Sequence, residues 1–447
     1  MSSFRRDFIT KPIFTLARGV LPKMSTTERE ALEAGDVWWD ADLFTGNPDW
    51  SKLTDFPRAA LTDDEQAFLN GEVDELCAML DDWKINWEWR DLPPEVWDFI
   101  KEKKFFGMII PKEFGGLGFS PYAHSEVVRK LSSRSLVAAV TVMVPNSLGP
   151  GELLMRFGTP EQQEKWLPRL AAGYEIPCFG LTSPEAGSDA ASMVDSGIIC
   201  KSEFEGREVI GLKLNWHKRY ITLGPVATLL GLAFKAYDPD HLVGDQDELG
   251  ITVALIPTYL PGVSIGQRHL PSMQVFQNGP NWGEDVFIPL DYIIGGKARL
   301  GQGWQMLMTA LAAGRGISLP SLSAAGTALA ARTSGAYARI REQFNIPIGK
   351  FEGIAEPLAR IAGTAYLLDA ARRLTCAALN AGHHPAVISG IMKLHATERM
   401  RIAIDDAMDI HAGKAVIDGP QNYLGNIYRA VPVGITVEGA NILTRNL

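Results

Sequence analysis

Apolar positions recur with a helical period between residues 61 and about 174, first as Phe68, Val73, Leu76, Cys77 and Leu80 and then as Val96, Phe99 and Ile100. Thr159 followed by Pro160 predicts a helix start, with the hydroxyl as cap and the proline in the first turn. From about 176 to 294 the pattern shortens to strands over 197–200, 208–214, 228–234 and 251–256, separated by Gly, Pro and Asp clusters. Helical spacing returns after Gly303 over 304–311, 324–341, 354–379 and 385–408, with small residues such as Ala310, Ala325 and Ala330 that permit close helix packing. Glycines in Glu113-Phe-Gly-Gly-Leu-Gly and Pro145-Asn-Ser-Leu-Gly-Pro-Gly are expected to supply left-handed backbone at turns. The order predicts an α+β chain: an N-terminal extension (1–60), an N-terminal helical domain (61–175), a middle β domain (176–295) and a C-terminal helical bundle domain (296–447).

The longest apolar run, 136–144, is about half of the ~20 residues a membrane-spanning helix needs, so no such helix is expected. Residues 1–24 nevertheless place Arg5, Arg6, Lys11, Arg18 and Lys23 among Phe4, Phe8, Ile9, Phe14 and Leu16, with Asp7 the single acid. That mixture suits a basic amphipathic helix on anionic lipid, and equally a solvated arm. Across the whole chain, 43 Lys and Arg against 52 Asp and Glu give a net charge of −9, which repels a phosphate backbone and argues against nucleic acid. Four dispersed cysteines point to a reducing compartment, and the histidines show no metal-ligand spacing, so no metal is expected. His383-His384 is expected in a surface turn. Neither a Gly-x-Gly-x-x-Gly after a strand nor a Walker loop is present, leaving a nicotinamide or ATP site without support.

Three segments carry candidate chemistry. Residues 178–190, CFGLTSPEAGSDA, lead from an apolar stretch through Leu181 into Thr182, Ser183, a Pro184 turn, Gly187 and Ser188, offering hydroxyls and backbone N–H groups to the polar edge of a flat heterocycle. An ordinary interdomain loop has the same composition. In 216–224, WHKRYITLG, strand alternation puts Tyr220 and Thr222 on one face, a ring and a hydroxyl addressing one ligand or merely a strand. In 434–445, GITVEGANILTR, Glu438 sits among Ile435, Val437, Ala440 and Ile442, which would desolvate the carboxylate and raise its pKa toward general-base duty; it is otherwise a helix-start acid.

Taken in this order, the T-x-P-x-A-G-S-D loop, the Y-I-T strand and the V-E-G segment resemble those of the acyl-CoA dehydrogenase family. Further support comes from Tyr337-Ala-Arg-Ile-Arg-Glu-Gln-Phe followed by Ile348-Gly-Lys-Phe. PNSLGPGELL, AEPLARIAG and TVEGANILTR are similar to the bacterial long-chain FadE type. The resemblance implies the acyl-CoA dehydrogenase fold, with a middle β-barrel-like domain and a truncated C-terminal bundle. It also implies FAD as cofactor and oxidation of medium- or long-chain acyl-CoA to trans-2-enoyl-CoA, the first step of β-oxidation. In that chemistry a carboxylate takes the α-proton while the β-hydrogen leaves as hydride to the flavin, so base and ring must flank one C–C bond.

Carried across, Glu438 resembles the catalytic base, and its backbone N–H would polarise the thioester carbonyl. Leu181, Thr182, Gly187, Ser188, Tyr220 and Thr222 resemble flavin contacts, Tyr220 replacing a commoner Trp. Arg341 and Phe344 resemble contacts to a neighbouring subunit's FAD, which implies a homo-oligomer, and Gly413 belongs to the segment that resembles the family's adenine contact. Ser188, Arg315, Glu438 and Gly439 resemble substrate contacts. Two positions depart from the family: Asp409 stands where a glutamine is usual, and Ala440 follows Glu438-Gly439 in place of a threonine. The chain stops nine residues after Glu438, short of the family's last helix, which leads us to expect a fragment or shortened form. Partners implied are an acyl-CoA substrate, an electron-transferring flavoprotein as acceptor, and a peripheral contact with the inner membrane from the cytoplasm. An acyl-CoA oxidase and a non-catalytic flavin-fold binding protein are the alternatives on the same fold.

Overall fold

The computed structural model describes residues 2–20, 29, 35–147 and 149–445; Lys23 of the basic arm and Leu148 of the Pro145 turn lie outside them. Residues 2–20 are helical, ending in α1 (Lys11–Val20), and every arm side chain described is exposed, Phe8 to 70%. The first packed layer comprises α2 (Asp63–Asn70), α3 (Glu72–Met79), α4 (Pro94–Glu102), α5 (Pro121–Ser132), α6 (Leu136–Met143), α7 (Pro150–Phe157) and α8 (Pro160–Ala171). Thr159 caps α8 reciprocally with Gln162, each side chain accepting the other's backbone N–H, which contributes about 1 kcal/mol. All eight residues of α6 are buried, so the longest apolar run is a core helix. No helix among the described residues is long and apolar enough to cross a membrane.

Seven strands follow: β1 (Pro177–Gly180), β2 (Ser196–Phe204), β3 (Arg207–Thr222), β4 (Leu229–Tyr237), β5 (Glu248–Pro257), β6 (Val263–Ile265) and β7 (Asn278–Pro289). β4 pairs antiparallel with β5 on one edge and parallel with β1 and β2 on the other; the sheet continues through β3 and β7 to β6. The result is a curled sheet, barrel-like in shape but open along the described strands. Burial explains its sequence. Leu230, Leu232 and Phe234 of β4 face a core shared with the first helices, whereas Leu229 and Ala233 face α7, α8 and the start of the next helix. A strand buried on both faces reads as a continuous apolar run, which is why alternation is absent from 229–234. β1, β6 and β7 were not marked by the pattern, being short or interrupted by Gly, Pro and Asn.

The last part comprises α9 (Gly303–Ile340), a small hairpin of β8 (Glu342–Gln343) and β9 (Ile346–Pro347), then α10 (Glu352–Asn380), α11 (Ala386–His411) and α12 (Gly425–Thr436). The sequence pattern expected two helices, 304–311 and 324–341; instead α9 runs 38 residues through Pro320. Proline removes one intrahelical hydrogen bond, but residues 316–327 are buried on all sides, and packing overrides the local preference. The turn glycines divide similarly. Gly115 and Gly118 are left-handed as expected, whereas Gly149 and Gly151 are not; a Cβ on Gly149 would lie 2.9 Å from the Pro145 carbonyl oxygen, so close approach requires glycine there.

Two buried ion clusters tie the layers. Arg372 of α10, fully buried, donates to Glu126 (2.6 Å) and Ser125 (2.8 Å) of α5 and to Asp369 (2.6 Å), and Ser125 contacts Ser321 of α9 at 2.6 Å. Burial would raise the Glu126 pKa, but Arg372 and Arg129 outweigh it and hold the carboxyl below its usual range. Within the sheet, fully buried Lys218 pairs with Asp195 and donates to the Leu181 carbonyl at 3.0 Å. Burial depresses the Lys218 pKa against the pull of Asp195. Asp195→Ala would strand that ammonium, and should cost about 3–5 kcal/mol in urea unfolding, whereas a Lys218→Met, Asp195→Leu double variant should lose far less.

Candidate active site

The loop after β1 is stitched onto the end of β3. Besides the Lys218 contact with Leu181, the Arg219 N–H donates to the Thr182 carbonyl at 3.0 Å and its guanidinium to the Pro184 carbonyl at 3.2 Å. Ser183 closes the loop on itself, accepting from the Ala186 N–H at 3.2 Å, while Gly187 and Ser188 stand exposed. A Cβ on Gly187 would meet no protein atom within 4 Å, so the fold itself places no demand for glycine at that position.

The alternation expected for Tyr220 and Thr222 does not hold. The β3–β7 register slips between Lys218 and Ile221, and Tyr220 is left-handed at φ +63°, a bulge that re-aims its side chain. Tyr220 is exposed, under the Arg219 guanidinium and 5.5 Å from the His269 ring. Thr222 instead turns to Asn278, whose amide donates to its hydroxyl at 3.2 Å and to the Tyr220 carbonyl at 3.0 Å.

Thr222 and Glu438 line one narrow apolar cleft of about 80 Å³, walled by Leu136, Val140 and Met143 of α6, Leu319 and Leu322 of α9, and Ile427 and Val431 of α12. The cleft thus sits where the first helices, the end of β3 and the final bundle meet. Glu438 lies in a turn, not at a helix start, with φ +55°, and Gly439 follows at φ +85°. For a non-glycine residue that conformation costs on the order of 1–2 kcal/mol, and such strain persists only where the surroundings fix it. Glu438 is partly exposed as a residue, yet its Oε2 is buried without a partner. Burial raises its pKa, as expected, with Arg315 and Lys393 pulling the other way. The desolvating neighbours differ in part from those expected: Ile442 is 69% exposed, whereas Val437, 41% exposed, belongs to the cleft wall that excludes water.

Arg315 of α9 approaches the same turn, its guanidinium 3.5 Å from where a Gly439 Cβ would stand, with Nε buried and unpaired. Burial depresses its pKa, opposed by Glu438. Gln274 Oε1, on the cleft wall, is also buried without a partner. Orphaned polar atoms at one edge of an apolar slot fit a ligand that is flat and apolar with a polar rim. Arg341 and Phe344 do not line the cleft. They stand exposed at the α9 end and on the hairpin, Phe344 to 88% and left-handed at φ +53°; Gly413 is exposed beyond α11, and Asp409 faces solvent. Glu352 is exposed at the head of α10.

Sequence reasoning missed Lys393, Gln274 and the α6 wall. Lys393 carried a signal, because it occupies the buried phase of α11 together with Ser389, Ala396, Thr397 and Met400. His383 and His384 follow the Ala381–Gly382 turn in the α10–α11 connection and are partly buried; His383 contacts Asp36 at 2.9 Å and the His384 N–H donates to Asp36 at 2.6 Å. No cluster of metal-ligating side chains occurs among the described residues.

Residues 60–174 match the model of the acyl-CoA dehydrogenase N-terminal domain, and residues 301–447 that of the acyl-CoA dehydrogenase C-terminal domain. The chain belongs to the acyl-CoA dehydrogenase family. Among curated relatives it is 28% identical over 412 residues to the probable acyl-CoA dehydrogenase FadE10 of Mycobacterium tuberculosis, covering 90% of this chain and 60% of that protein. The chain therefore spans about 60% of the length of such a relative. It is also 29% identical over 364 residues to the 3-(aryl)acrylate reductase of Clostridium sporogenes, covering 78% of this chain and 88% of the reductase. The fold is that of the acyl-CoA dehydrogenase of Geobacillus kaustophilus, with a TM-score of 0.75 at 19% identity, over 87% of this chain and 98% of that one.

Proposed function

We propose that this acyl-CoA dehydrogenase family member oxidises medium- or long-chain acyl-CoA to the trans-2-enoyl-CoA with FAD as cofactor. The observation that carries the reading is Glu438: a carboxylate with one oxygen orphaned inside an apolar cleft, raised in pKa, and facing the same slot as Thr222. FAD, when bound, supplies a two-electron acceptor for the β-hydrogen. The residues suited to hold it are Leu181, Thr182, Gly187, Ser188, Tyr220, Thr222 and Gly413, with Arg341 and Phe344 serving the flavin of a second copy. Glu438 takes the α-proton on its unpaired Oε2, and the apolar walls exclude water from the transfer. Arg315, Ser188 and the backbone at Glu438 and Gly439 orient the thioester side of the substrate. Electrons would pass to an electron-transferring flavoprotein, as befits a dehydrogenase; peroxide release under air would mark an oxidase instead.

We further propose that residues 2–20 rest on the cytoplasmic face of an anionic membrane. The support is an exposed helix carrying Arg5, Arg6, Lys11 and Arg18 beside Phe4, Phe8 and Phe14, none packed on the rest of the chain. Each basic residue would contribute about 1 kcal/mol near an anionic surface.

Three outcomes are expected. Glu438→Gln should bind FAD and palmitoyl-CoA yet reduce its flavin roughly 10² to 10⁴ more slowly in anaerobic stopped flow; a parental rate would place the base elsewhere. Arg341→Ala should lose FAD on dilution, because a charge-assisted pyrophosphate contact is removed; full retention at parental affinity would exclude that role. The protein should float with anionic liposomes at low salt and be released at high salt, whereas equal binding to neutral liposomes would remove the electrostatic argument.

A further inference from the structure

Lys393 is fully buried in the first third of α11, and its ammonium donates three hydrogen bonds, all into the segment that carries Glu438. The acceptors are the Ile435 carbonyl in the last turn of α12 (3.1 Å), the Gly439 carbonyl just after Glu438 (2.8 Å) and Asn441 Oδ1 (2.7 Å). One point charge therefore grips the turn from both sides. A second layer fixes the grip: the Asn441 amide donates to the Thr397 hydroxyl and to Glu398, both at 2.9 Å, and the Thr397 hydroxyl donates to the Lys393 carbonyl at 2.8 Å. Thr444 adds a 3.2 Å hydrogen bond to the Gly439 carbonyl.

We propose that Lys393 is a positioning residue for the acid–base site, holding the strained turn that presents Glu438 and setting, through its charge, how readily that carboxylate ionises. The inference rests on the reading of Glu438 as the base. Three acceptors arranged around one buried donor suit an ammonium, with three rotatable N–H groups, better than a planar guanidinium. The charged groups facing the turn are Arg315 from α9, Lys393 and Glu398 from α11, and Glu438 itself. Burial lowers the Lys393 pKa to about 8, opposed chiefly by Glu438, so below that pH the ammonium is charged and favours the ionised carboxylate. Removing the cation raises the Glu438 pKa, and the base is then protonated up to a higher pH.

The test is the pH profile of flavin reduction by palmitoyl-CoA in the FAD-loaded protein, together with backbone hydrogen exchange across 436–445. Lys393→Met should move the acid limb of the profile upward by about 1 pH unit and accelerate exchange in the turn. Asn441→Ala, which keeps the charge but loosens the grip, should accelerate exchange and lower the plateau rate while leaving the acid limb in place. Lys393→Arg should restore the acid limb without restoring the plateau, and it and Asn441→Ala still read out the proposal if Lys393→Met does not fold. A parental acid limb and parental exchange in folded Lys393→Met would overturn the inference. Glu438→Gln separates the two readings: if it keeps the parental rate, the base assignment fails, whereas if it is inactive and Lys393→Met has the parental profile, only the positioning role fails.

Discussion

The burial of β4 and β5 on both faces is the constraint from which the rest of the architecture follows. A sheet that is apolar on two sides needs helices on two sides, and the chain supplies α2–α6 for one face and α7, α8 and the start of α9 for the other. α9 then leaves the sheet and becomes the central helix of the last bundle, so three layers meet along a seam. The cleft lies on that seam, with one wall from α6, one from α9 and α12, and a rim from Thr222 and Gln274. Apolar walls from three layers leave little room for water, and it is this exclusion that makes a lone carboxylate there costly to ionise.

Charge inside the molecule is handled differently at the seam and away from it. Arg372 with Glu126 and Lys218 with Asp195 are closed pairs, in which a terminal nitrogen of each cation bonds the carboxylate directly. Around Glu438 the cations do not close on the anion: Lys393 spends its donors on two carbonyls and an amide oxygen, and Glu438 Oε2 stays unpaired. A neutralised pair would be inert. The open arrangement keeps net charge near zero while leaving one oxygen free to accept a proton.

Much of this was legible in the sequence, for reasons that differ from residue to residue. The helices around Phe68, Val73 and Val96 declared themselves because one buried face imposes a period, and Thr159-Pro160 marked a start because an orphan N–H needs a cap. Glu438 stood out because an acid inside an apolar run is expensive. What stayed hidden depended on partners distant in the chain. Nothing local tells that α9 continues through Pro320, since its support comes from α5, α10 and α11. Strand alternation failed at Tyr220 because a bulge inserts residues into one strand only, and register belongs to the pair of strands. Lys393 was visible only as a charge in the buried phase of a helix, a mark whose meaning depends on the carbonyls of residues 435 and 439.

The span of the cleft in sequence bears on how the protein is made. Its walls begin at Leu136 and its rim is completed by Glu438, so about 300 residues separate the first contributor from the last. At a synthesis rate of roughly 5 to 20 residues per second, α6 would wait about 15 to 60 s for its opposite wall. During that interval the apolar faces of α6, α9 and β3 have no α12 to cover them, and Lys393 has neither Gly439 nor Asn441 to satisfy it. The nascent chain therefore passes through a stage with an uncovered apolar slot and a lysine that still needs water, a stage that ends only when the α12 segment and its turn fold back.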